Sequence, residues 1–167
     1  MNNNDLSTPI KLGLLGLVSL FFMPLIAFGQ TSHEKIDEIV KLEEEPAGVV
    51  IEIVTGKNDG LDWALPMAKK HIDTLRARFP ELEIAIVTHG REQFALQKDS
   101  DNQKVHSLTQ QLVKDGIPLH VCETHAGYRG VTAEDFPDYV NVSTTGPAQI
   151  NDYVAVGYLL VKIKKPE

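Results

Sequence analysis

The hydrophobic period changes repeatedly between residues 48 and 163, and this alternation constrains the fold more than any other feature. The stretch Gly48–Gly56, GVVIEIVTG, is short, apolar and closed by glycine, as a buried strand should be. Leu61, Leu65, Ala68, Ile72, Leu75 and Phe79 then recur at steps of three and four, which is one face of a helix. Pro66 suits that helix only within its first turn, and Pro80 ends it. Leu82–Gly90, LEIAIVTHG, reads as a second strand. The polar stretch that follows has room for a short helix and a loop. Val105, Leu108 and Leu112 mark another helix, with Ser100 or Asp101 as its cap and Gly116 as its stop. Three more strands are expected: Ile117–Cys122, Tyr139–Ser143 and Tyr158–Ile163. A helix before the last of them opens on Gly146-Pro147, and Ile150, Tyr153, Val154 and Gly157 share its face. Strand and helix in strict turn require crossover connections. The expected class is α/β, a mostly parallel five-stranded sheet with helices on both faces. The continuous Val/Ile runs of the first two strands fit a sheet covered on both sides.

The chain ahead of this domain is of two kinds. Leu12–Phe28 carries no charge, follows Lys11, and ends in small residues at Ala27 and Gly29. That is the layout of a secretory signal, so residues 1–29 read as a signal peptide or, in the rival reading, as a retained N-terminal anchor. The expected location is periplasmic or secreted, or membrane-anchored facing the periplasm if the segment stays; the membrane is a partner only in that case. Residues 30–47 are charged and read as a solvated linker, leaving 48–167 as the single folded domain. The net charge of -7 excludes a nucleic-acid surface, which needs a basic stripe.

Export places the chain in an oxidising compartment, and it has one cysteine, Cys122. A lone thiol there is buried and inert, paired between chains, or reactive. Open parallel sheets place their sites at the carboxyl ends of the strands, and Cys122 closes a strand at that rim. His89 closes a neighbouring one. Strand alternation points His120 and Cys122 to the same side of the sheet. A thiol attacks as its thiolate, which a nearby cation favours, so His120, His125, Arg129 and His89 are the candidate supporters. Glu123 opposes them. The bland readings stay open: a cysteine that merely fills core, and a His120 that is packed and hydrogen-bonded. His-x-Cys-x-x-His could also ligate a metal if His89 joined it. Arg91 is an anion-binding candidate or an ordinary surface residue. Thr55–Gly60, TGKNDG, lacks the ending of a nucleotide loop, and no serine elbow or His-Glu-x-x-His motif is present.

The segment GIPLHVCETHAGYRGV resembles the DsrE/DsrF-like family, in which a strand ends in cysteine and Arg-Gly-Val follows after six residues, here Cys122 and then Arg129, Gly130 and Val131. IAIVTHG and NVSTTGPAQINDYVAVGYLLVKI are similar to that family's second strand and to its closing strand, helix and strand, so the likeness runs from about Val49 to Ile163. The resemblance implies a small three-layer α/β/α sandwich that assembles as homo-oligomers, trimers or hexamers. It implies a sulfur carrier or sulfurtransferase that accepts sulfane sulfur as a persulfide on Cys122, with Arg129 and a histidine steadying the charge. It implies no metal or organic cofactor. The partners would be a sulfur donor and an acceptor thiol, on proteins or small sulfur compounds. Export, and Glu123 and His125 after the cysteine, depart from the relay members. The alternative is a non-catalytic oligomeric protein binding a metal or small ligand at the same rim.

Overall fold

The computed structural model describes residues 30–165, so the signal-like segment 1–29 lies outside the described residues. The expected class holds. Five strands, β1 (Val49–Ile53), β2 (Ile84–Thr88), β3 (Leu119–Cys122), β4 (Asn141–Ser143) and β5 (Leu159–Ile163), form one sheet in the order β4-β3-β2-β1-β5. Every pairing is parallel, with Ile51 opposite both Ile86 and Val161.

The helices are α1 (Ser32–Ile39), α2 (Leu61–Arg78), α3 (Gln103–Lys114), α4 (Glu123–Gly127) and α5 (Gly146–Ala155). Strand alternation divides the core in two. Ile51, Ile53, Ile84 and Ile86 face the large cluster under α1, α2 and α3. Val50 and Val87 face the other way, toward Ile150 of α5. The first face is deep: Leu61, Leu65, Ala68, Ile72 and Leu75 of α2 are all buried. Each large aliphatic side chain removed from water there contributes about 1.5–3 kcal/mol. The second face has α5 alone. Val154, expected on the packed face of α5, is exposed because that helix touches the sheet along one narrow stripe through Ile150.

Four expectations change in detail. The charged stretch after residue 30 is not a solvated spacer throughout. It opens with α1, capped by reciprocal hydrogen bonds between Thr31 and Glu34, and buries Ser32, Ile36 and Ile39. The buried His71 of α2 meets Ser32 Oγ at 3.1 Å through Nε2. Pro66 lies past the first turn of α2, on its exposed side, where only one backbone donor is lost. The cap of α3 is Asn102, whose side-chain oxygen accepts from Val105 N–H at 3.3 Å, rather than Ser100 or Asp101. Gly157 lies beyond α5, in the turn to β5. The stop at Gly116 is as expected; its φ of 78° suits glycine. Among the described residues no helix is long and apolar enough to cross a membrane.

Candidate functional site

The carboxyl ends of β1, β2 and β3 converge on one short 3-10 segment, Arg91–Leu96, which follows β2. Its residues Glu92 and Gln93 are completely buried, although the stretch reads as polar. Glu92 Oε2 accepts from Thr55 N–H at 3.0 Å, Thr55 Oγ1 at 3.0 Å and Gly56 N–H at 3.2 Å, at the end of β1. Its Oε1 accepts from Thr88 Oγ1 at 2.9 Å and Gly90 N–H at 2.8 Å, at the end of β2. Gly90 must be glycine, since a Cβ there would stand 2.5 Å from that carboxylate. Gln93 ties in β3: its Oε1 accepts the Cys122 N–H at 2.8 Å and its Nε2 donates to the Cys122 carbonyl at 3.2 Å. Buried polar groups are stable only with partners, and these two residues find theirs in the strand ends.

Cys122 is the last residue of β3 and the N-cap of α4. Its Sγ accepts the His125 N–H at 3.3 Å, and the residue is 4 % exposed. The sulfur thus serves as the side-chain acceptor of the α4 cap. The α4 turn is fixed in place by Thr124, whose N–H (3.1 Å) and Oγ1 (2.7 Å) both donate to the Thr144 carbonyl after β4.

The supporters expected from sequence are placed as follows. His120 lies on the α5 side of the sheet, and by alternation Cys122 shares that side. Both His120 ring nitrogens are engaged elsewhere: Nδ1 with Ser143 Oγ at 3.0 Å and Nε2 with Tyr153 Oη at 2.9 Å. Ser143 Oγ donates to Gln149 Oε1 at 2.9 Å, so it must accept from Nδ1–H. Burial lowers the His120 pKa and so favours the neutral ring, whose Nε2 then accepts from the tyrosine. The imidazole is therefore committed to a structural chain and offers the thiol no cation. His89 is committed as well. Its Nε2 meets Glu52 Oε1 at 2.9 Å, while Lys162 Nζ lies 2.9 Å from Oε2. The His89 hydrogen bond leads in holding the Glu52 carboxyl down to about 2; burial opposes it and Lys162 assists.

His125 reaches the sulfur through its backbone, while its ring lies against Phe94 at 5.8 Å and Tyr128 at 6.4 Å. The Arg129 guanidinium sits 4.5 Å over the Phe94 ring. Phe94, on the same 3-10 segment as Glu92 and Gln93, thus brings His125 and Arg129 together one turn beyond the cysteine. Arg91 and Glu123 are exposed. Among the described residues no group of three or more His, Cys, Asp or Glu side chains could hold a metal ion.

The fold places the chain in the class of small parallel α/β/α sandwiches, with its one thiol capping a helix at the carboxyl rim. Within that class, the chain belongs to the DsrE/DsrF-like family, whose model matches residues 56–163. Its fold is similar to a protein of unknown function, MTH1491, from Methanobacterium thermoautotrophicum, at 18 % identity and a TM-score of 0.57, covering 68 % of this chain and 96 % of that one. It is also similar to the ychN protein from E. coli, at 15 % identity and a TM-score of 0.52, covering 70 % and 99 %. A third likeness is to BT1422 from Bacteroides thetaiotaomicron, a conserved protein of unknown function, at 17 % and 0.51, covering 68 % and 94 %. No curated protein matches the chain.

Proposed function

We propose that the protein is an exported sulfur carrier or sulfurtransferase that takes up sulfane sulfur on Cys122. The observation that carries this reading is the setting of the thiol. It ends a strand at the rim, its backbone is clamped by Gln93, and its sulfur faces an amide N–H. Family membership supports it.

In the first step the Cys122 thiolate attacks a sulfane sulfur. A new S–S bond forms on Sγ, the donor's bond to that sulfur breaks, and the donor leaves with the electron pair as a thiolate or sulfite. In the second step an acceptor thiolate attacks the outer sulfur and Cys122 departs as thiolate. Neither step needs an external oxidant or reductant. The His125 N–H steadies the charge on Sγ. Arg129, one turn further along the lip, is assigned to the negative outer sulfur and to anionic donors. His120 and His89 hold the sheet under the rim. The signal-like segment 1–29 is the support for a periplasmic or secreted location.

Intact-mass spectrometry after incubation with thiosulfate or polysulfide tests the proposal. A gain of one sulfur, lost on reduction and absent in Cys122→Ser, is expected. A native protein that gains none from either donor, yet is alkylated at Cys122, overturns it.

A further inference from the structure

Gln93 belongs to no motif legible in the sequence, yet both hydrogen bonds of its buried amide go to one residue, Cys122. The β2–β3 ladder explains why. Ile86 N–H donates to the Pro118 carbonyl, and in a parallel pair the donors advance by two on each strand, so Gly90 N–H would be due at the Cys122 carbonyl. Gly90 N–H instead donates to Glu92. The Gln93 Nε2 takes the vacated place, and its Oε1 also accepts the Cys122 N–H, which the Thr88–Val121 pairing directs at the Thr88 carbonyl as well. A side-chain amide thus closes the ladder on the residue that carries the sulfur, just where the chain leaves β3 for α4.

We infer that Gln93 is a positioning residue for the thiol: its amide holds the Cys122 backbone so that Sγ stays on the His125 N–H. This rests on the reading of Cys122 as the reacting group. A substitution that frees the end of β3 lets the sulfur drift from its donor. The thiol then ionises at higher pH even as it becomes easier to reach.

The test is the rate of Cys122 alkylation by iodoacetamide against pH, in the full chain, for wild type, Gln93→Leu and Gln93→Met. Gln93→Met keeps the length without adding charge and loses both bonds to Cys122, so it decides the matter if Gln93→Leu does not fold. Leu112→Ala, in the core on α3, serves as a control for lost stability alone. The expected result is an apparent midpoint raised by about half a pH unit or more in the folded Gln93 variants, with a faster rate at the alkaline plateau. Leu112→Ala should leave the midpoint in place. Folded Gln93 variants with the wild-type midpoint, or an equal shift in Leu112→Ala, overturn the inference. Sulfur loading measured on the same samples separates the two proposals: a wild type that takes up no sulfur but shows the Gln93 shift sinks the function and leaves the positioning role standing.

Discussion

Glu92 takes five hydrogen bonds while shut away from water, so its carboxylate is a structural group of the rim. Replacing either oxygen by an amide sets an N–H₂ group against at least one backbone N–H, of Gly90 or of Thr55 and Gly56, that has nothing to accept with. Glu92→Gln should therefore cost about 3 kcal/mol, seen as a lower urea midpoint with unchanged cooperativity. The conservative change at the thiol has the opposite outcome. Sγ accepts a single N–H, and serine accepts the same bond as an N-cap, so Cys122→Ser should melt within a few degrees of wild type. That keeps the sulfur-loading test clean. Single residues were unevenly legible. The shared side of His120 and Cys122 follows from strand alternation and needs no tertiary knowledge. Glu92 and Gln93 were not legible, because polar residues in a polar stretch read as solvated. Their partners are backbone groups at the ends of three strands, brought near only by the finished sheet.

Among the elements, α1 shows most clearly where sequence patterns stop. Its apolar positions are few and its surroundings acidic, so composition argues for a linker. The helix exists because its small stripe, Ile36 and Ile39, finds a ready apolar surface beside α2 and β5. The length and packed face of α2 are written in many residues and were legible. The cap of α3 rests on one residue, and neighbouring Ser100, Asp101 and Asn102 compete for it on equal chemistry. The docking of α1 carries a pH dependence through His71. Burial is the main cause that lowers its pKa from 6.5 to about 4, helped by the His33 ring and by Lys70 and opposed by Asp37. The undocked state binds the proton more readily, so stability is full above 6.5 and falls as the pH drops toward 4, by at most about 3 kcal/mol. The protection factors of the α1 amides, taken against the intrinsic exchange rate at each pH, should be lower at about pH 5 than at about pH 7.5, and His71→Gln should flatten the difference. Equal protection at the two values in wild type would contradict this.

For the whole molecule, the sheet is thickly covered on one side and carries a single helix on the other. Tyr153, Tyr158 and Leu160 are only partly buried there, and Val156 is 66 % exposed. The self-association implied by the family resemblance is read by sedimentation velocity: a species several times the protomer mass is expected, and a monomer at micromolar concentration would rule it out. Processing is read just as directly. N-terminal sequencing of protein made in an exporting host should begin at Gln30, whereas a start at Met1 would mean that the leader is kept. The fold class was legible because three of the four crossovers, those through α2, α3 and α5, left their own period in the sequence; the thinness of one face was not, since the pattern of α5 alone does not say how much of it meets the sheet. The Glu92–Gln93 pair has a last consequence for how the chain can vary. Two successive side chains address three strand ends, so the spacing from Thr88 to Gln93 is a fixed measure. An insertion of one residue there would swing both groups off target at once, while the exposed Arg91 between them and β2 can be exchanged freely. Loop-length libraries built at this turn should return almost no folded members, and composition libraries many.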